Sequence, residues 1–189
     1  RADDYNDNTK LFEEAKNIKV SSFNESKSTI VESFKVKEEK EIQPAIKKAF
    51  DEGEEVIIES LLKGTEVTCG MYKTQEKTTV FPITEVVSEN DFFDFDAKYN
   101  GQVKEITPAR ISKEITEKIQ QTTANIYQIL GCKGIIRADY IISENETINL
   151  LEVNTTPGMT PTSFIPQQVK AANIDIQEVM TDIIENEIA

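Results

Sequence analysis

Residues 134–154 constrain the fold more than any other stretch. Within Gly134–Ser143 and Thr147–Asn154, the stretches Ile136–Tyr140 and Leu151–Asn154 alternate apolar and polar residues, and the polar turn Glu144-Asn145-Glu146 lies between the two segments. Period-two alternation on both sides of a short turn predicts a β-hairpin with one buried face. Ile136, Ala138, Tyr140, Leu151 and Val153 form the apolar face, and Arg137, Asp139, Glu152 and Asn154 form the other. Asp139 stands five residues before the turn and Glu152 six after it, so a nearly symmetric register brings them together. Adjacent carboxylates repel unless a cation lies between them. Asn154 adds a neutral oxygen, and this donor set suits a hard divalent ion. Arg137 offers a fixed cationic fork to negative charge that develops during a reaction.

The flanking segments supply the rest of a core. Ile42, Ala45, Ile46 and Ala49 predict an amphipathic helix over 42–51, with Pro44 tolerated in its first turn. Strands are expected over 55–62, 66–72 and 78–87, and a loop over 91–108. Ser112 is placed to cap a helix over 112–130 with Ile115, Ile119, Thr122, Ile126 and Ile129 on one face. Helices are also expected over 167–172 and 176–187. Residues 1–34 are weakly patterned, with a short helix near 8–16 and a strand end at Phe34–Lys37. This order predicts an α+β fold with largely antiparallel sheets.

Composition excludes several function classes. The 189 residues carry a formal net charge of −13, which repels nucleic-acid backbones. No apolar run approaches the roughly 20 residues of a membrane span, and no signal peptide is visible. There is no histidine, which removes histidine-based catalysis and histidine metal sites. Cys69 and Cys132 make a poor disulfide framework and suit a cytosolic setting.

A longer pattern surrounds the hairpin. Ile136-Arg137-Ala138-Asp139-Tyr140, then Leu151 through Thr160 (Leu-Glu-Val-Asn-Thr-Thr-Pro-Gly-Met-Thr), then Ser163, resembles the C-terminal signature of D-alanine–D-alanine ligases. Asp94–Tyr99 resembles that family's active-site loop, and Glu55–Glu59 with Gly64-Thr65-Glu66 resembles its adenine-side strand and ribose-binding glutamate. The resemblance implies an ATP-grasp fold of two lobes and an ATP-dependent ligase that joins two D-alanine molecules through an acyl phosphate for peptidoglycan synthesis. It implies two Mg2+ or Mn2+ ions on Asp139, Glu152 and Asn154. Arg137 and the Gly158 amide would stabilise the intermediates, and Tyr99 would help close the loop. Lys98 would contact phosphate, Glu59 and Leu62 adenine, Glu66 ribose, and Ser163 with Phe164 the second D-alanine. A cytoplasmic homodimer is implied for the full-length enzyme. Other ATP-grasp carboxylate–amine ligases, a D-alanine–D-lactate ligase and an inactive nucleotide-binding remnant are the alternatives.

Family members carry an additional N-terminal domain and a Gly/Ser-rich phosphate loop preceded by a lysine-containing strand. Asn24–Ser33 contains no glycine, and the strand and loop expected before Phe34 look missing. The expectation is therefore an incomplete first lobe over 1–64, a second lobe over 65–189, and no turnover by these 189 residues alone.

Overall fold

The computed structural model describes residues 18–24, 29–88 and 103–188. The chain divides into two units, Arg1–Leu62 and Lys63–Ala189.

In the first unit, β1 (Ile18–Asn24) is the centre of an antiparallel sheet, between β2 (Thr29–Val36) and β3 (Glu55–Ser60). Helix α1 (Ile42–Glu52) packs its Ile42, Ala45, Ile46 and Ala49 on Ile18, Val20 and Val36. That is the stripe its three- and four-residue spacing predicts. The hairpin of β1 and β2 corrects the expectation that the strand before Phe34 is missing. Serine hides it: Ser21 and Ser22 are fully buried where alternation leads one to look for apolar side chains. Ser21 Oγ meets Ser33 Oγ at 2.8 Å, so one buried hydroxyl finds its partner across the strands. The helix expected near residues 8–16 lies outside the described residues.

In the second unit, the strands run in the order β7-β6-β4-β8-β9, with β5 also paired to β4 and every pairing antiparallel. The strands are β4 (Thr65–Lys73), β5 (Thr78–Val80), β6 (Thr84–Ser88), β7 (Val103–Ile106), β8 (Ile135–Ile142) and β9 (Ile148–Asn154). Helix α2 (Lys113–Ile129) covers one face of this sheet. Its Ile115 and Ile119 pack with Val67, Cys69, Ile83, Ala138 and Tyr140. Each such side chain removed from water contributes about 1.5–3 kcal/mol before entropy is subtracted. Ser112 caps α2 as expected, its Oγ accepting from Ile115 N at 3.2 Å. The buried stripe continues through Thr123 and Tyr127, not Ile129, which is 82% exposed. The helix packs along its i+4 row.

Two further expectations change. The strand expected over 78–87 is split at Phe81-Pro82-Ile83, because Pro82 has no N–H to donate. The far end of the loop expected over 91–108 is β7, which adds to the open edge of β6. Helices α3 (Phe164–Ala171) and α4 (Ile176–Ile188) close the unit, with Ile165, Val169 and Val179 packed on Tyr72 and Phe81.

Candidate functional site

Strands β8 and β9 pair in the register their turn predicts. Asp139 is opposite Glu152, and Arg137 is opposite Asn154. Directly opposed residues share a face of the sheet. Past that point the register shifts by one: Tyr140 is opposite Leu150, and Leu151 has no opposite number. Such a bulge re-aims side chains locally. Leu151 is consequently 45% exposed, which corrects its expected place on the apolar face. Ile136, Ala138 and Tyr140 keep theirs, fully buried.

Arg137 is the hub of the polar face. Its Nε donates to Asp139 Oδ1 at 2.9 Å, and its Nη2 to Asp139 Oδ2 at 2.8 Å and Glu152 Oε1 at 3.5 Å. Burial disfavours the guanidinium charge, but Asp139, with Glu152 and Glu105 behind it, outweighs that and raises the pKa further above the ordinary arginine range. The guanidinium carbon also lies 5.2 Å from the centre of the Phe164 ring, within cation–π range. The structure thus brings Arg137, Asp139, Glu152, Asn154 and Phe164 together.

The loop after β9 folds back on itself. Asn154 Oδ1 accepts from Thr156 N at 3.1 Å. Ser163 precedes α3 as its N-cap residue, but its Oγ accepts from Thr160 N at 3.2 Å instead of capping the helix. A side-chain carbon added to Gly158 would sit 2.9 Å from Ser163 Oγ, so glycine is what permits this close approach.

Strand β4 extends the same face. Its Glu66, Thr68 and Gly70 lie opposite Ile141, Asp139 and Arg137 of β8. Gly70 leaves room for α3: an added carbon there would meet Ile165 Cδ1 at 2.4 Å and Gln168 Oε1 at 2.6 Å. Gln168 is fully buried. It accepts from Gly70 N at 2.9 Å and donates to Thr68 O at 2.9 Å and Thr84 Oγ1 at 3.1 Å. Its neighbour Gln167 donates to Glu105 of β7. Thr68, Gly70 and Gln168 were not singled out from sequence. The available signal is the alternation Glu66-x-Thr68-x-Gly70 on a strand of otherwise buried residues.

The other candidates are placed as follows. Glu59 is held by Lys19 across the β1–β3 pair at 2.9 Å, and Leu62 is half-buried after β3. Both belong to the first unit, whereas Glu66 belongs to the second. Lys98 and Tyr99 lie outside the described residues.

Whether this set suits a metal turns on its donors. Asp139 and Glu152 supply carboxylate oxygens and Asn154 an amide oxygen, and a cationic group already stands between the two carboxylates. Hard oxygen donors of this kind fit Mg2+ or Mn2+. Among the described residues no three His, Cys, Asp or Glu side chains gather to hold a metal, so the candidate set is two carboxylates and one amide.

The family described as "D-ala D-ala ligase C-terminus" matches residues 22–185. A D-alanine–D-alanine ligase of Bacteroides fragilis is 71% identical over 152 residues, covering 80% of this chain and 47% of that protein. One from Parabacteroides distasonis is 68% identical over 154 residues, covering 82% and 47%. The chain therefore spans about half the length of the curated relatives it matches. A D-alanyl-alanine synthetase A of Vibrio cholerae shares the fold at a TM-score of 0.79 and 23% identity, over 97% of this chain and 56% of that one. The VanG D-Ala:D-Ser ligase of Enterococcus faecalis aligns at 0.76 and 28% identity, over 96% and 54%. A Bacillus anthracis D-alanine–D-alanine ligase complexed with ATP aligns at 0.72 and 27%, over 98% and 57%. The antiparallel sheets with packed helices and the family match agree: this chain belongs to the D-alanine–D-alanine ligase C-terminal family, with the α+β ATP-grasp fold of its solved relatives.

Proposed function

We propose that the protein containing these residues is an ATP-dependent ligase that phosphorylates the carboxylate of one D-alanine and joins it to the amine of a second, giving D-alanyl-D-alanine, ADP and phosphate. Peptidoglycan synthesis in the cytoplasm would use that product, and a homodimer is the expected full-length form. The observation that carries this reading is the in-register quartet Arg137, Asp139, Glu152 and Asn154 beside Phe164. The ATP-complexed relative supports the nucleotide.

Each residue has a role in this reading. Two divalent ions on Asp139, Glu152 and Asn154 would neutralise charge on the ATP phosphates. Arg137 releases part of its hold on Asp139 and stabilises the oxyanion as the amine attacks, assisted by the Gly158 amide. Phe164 and Ser163 orient the second amino acid against Arg137. Glu59 and Leu62 face adenine, Glu66 binds the ribose hydroxyls, Lys98 contacts phosphate, and Tyr99 helps exclude water. Residues 1–64 form an incomplete first lobe and residues 65–189 the second. Asn24–Ser33 lacks the glycines whose amides cradle phosphates, so these 189 residues alone do not turn over.

The test is phosphate release by the full-length protein with ATP and Mg2+, comparing D-alanine, D-serine and D-lactate as second substrate. D-Alanine is expected to be preferred. D-Serine in its place would assign the chain to the chemistry named for the Enterococcus relative, and no amino-acid-dependent release would leave nucleotide binding alone. Arg137→Met should lower turnover about 100-fold or more, the scale of losing one oxyanion donor. Turnover near ~1 per second by the 189 residues alone would show that the glycine-free segment does not limit catalysis.

A further inference from the structure

Among the described residues, one buried side-chain oxygen or nitrogen has no hydrogen-bond partner: Thr68 Oγ1. Thr68 is 2% exposed. A buried orphan hydroxyl is costly, and a native structure that keeps one points to a partner that arrives later. Its location narrows which partner. Thr68 is opposite Asp139 on β8 and opposite Thr84 on β6, so all three side chains share the face that carries Arg137 and Glu152. The Thr84 hydroxyl is occupied: it accepts from Gln168 Nε2 at 3.1 Å and meets Thr107 Oγ1 at 2.6 Å. The Asp139 carboxylate is turned wholly to Arg137, with contacts of 2.8–3.2 Å to both oxygens. Gln168 Nε2 also holds the Thr68 carbonyl at 2.9 Å, so the strand is pinned through its backbone.

We propose that Thr68 is a positioning residue for Asp139: its hydroxyl holds the Asp139 carboxylate once Arg137 yields that carboxylate to a divalent cation. This rests on the cation reading of Asp139, Glu152 and Asn154. With Arg137 withdrawn and one carboxylate oxygen given to a cation, the other oxygen needs a donor to fix its orientation. Thr68 is the directly opposed residue with a donor to spare. Carboxylates that ligate metals are held in this way by neighbouring hydrogen bonds. In the cation-free chain the same hydroxyl stays unpaired.

The role has a double signature. Thr68→Val keeps the branched shape and removes the hydroxyl. In the cation-free 189-residue chain it should raise the thermal midpoint by about 2–4 °C, because a buried orphan is lost. It should weaken Mn2+ binding, read from the free-ion paramagnetic resonance signal with Mn2+ as the sole added ligand, by about 10-fold. Thr68→Ser should keep Mn2+ affinity within about two-fold, because the donor remains. Glu152→Gln is the control for the cation reading and should weaken Mn2+ binding. If Thr68→Val binds Mn2+ like the unaltered chain while Glu152→Gln does not, Thr68 plays no positioning part and the cation reading stands. If Glu152→Gln also leaves binding unchanged, or the unaltered chain takes up no Mn2+, both fall together. A lowered midpoint for Thr68→Val, or its failure to fold, shows a structural partner for the hydroxyl and also overturns the proposal.

Discussion

Arg137 and Asp139 depend on each other unequally with Glu152. The side chains of Arg137 and Asp139 are 12% and 14% exposed, whereas that of Glu152 is 64% exposed. Removing Asp139 strands a guanidinium that is largely out of water, and an uncompensated buried charge is strongly unfavourable. Asp139→Ala should therefore destabilise the chain by about 3 kcal/mol. Glu152→Gln should leave stability within about 0.5 kcal/mol, as surface substitutions do, while abolishing most Mg2+-dependent turnover of the full-length enzyme. Urea unfolding of both variants checks the first pair of values. Equal destabilisation by the two would mean that Glu152 shares the ion pair far more than its 3.5 Å contact indicates.

At the scale of elements, the site depends on how closely α3 approaches β4. Gly70 N and Gln168 Oε1 form the contact, and the helix sits where no side-chain carbon fits. Gly70→Ala should push Ile165 and Gln168 away and cost about 1–3 kcal/mol, the range for overpacking a filled core. Because Phe164 begins the same helix, the Arg137–Phe164 stacking should loosen as well. Equilibrium unfolding gives the energy, and the ring-current shift on the Arg137 side-chain protons gives the displacement. An unchanged shift together with full stability would show that α3 is free to slide without penalty. Strand β7 also meets this helix, its Glu105 accepting from Gln167.

For the whole molecule, pH dependence follows from where the ion pairs sit in the second unit. Hydrogen bonds from Arg110 hold the Glu85 carboxyl below the usual range. Lys77 and then Tyr72 do the same for Asp182 on α4. For both groups, the contribution to stability is present above the unfolded carboxylate values near ~4 and is lost as pH falls through the lowered folded ones. On the alkaline side, Asp182 raises the pKa of Lys77, and burial followed by Asp182 raises that of Tyr72. Their contribution is present below ~10 and is lost as pH rises through the raised folded values. Stability should be flat from about pH 5 to 9 and fall on both sides. Hydrogen exchange should show α4 loosening early at alkaline pH, and Lys77→Met should remove the lysine's part of that alkaline dependence while leaving that of Tyr72, which burial drives first. A single optimum near pH 7 with sloping flanks would contradict the assignment.

Periodicity alone determined α1, α2, β4, the β8–β9 hairpin and the facing of Asp139 and Glu152. Each has an apolar stripe at helical spacing or a strand alternation next to a legible turn, and a short turn fixes register locally. Arg137, Asp139, Glu152 and Asn154 were readable for the same reason, since their spacing and their shared face are local properties. Only the tertiary structure decided the rest. The β1–β2 hairpin is written in serines that gain partners only across the sheet. The bulge that expels Leu151 and the addition of β7 to β6 depend on which strand lies alongside. Thr68, Gly70 and Gln168 acquire their meaning from contacts 67 to 100 residues away in sequence. Non-local pairing carries no periodic signal, because its energy comes from a partner that the neighbouring residues do not encode.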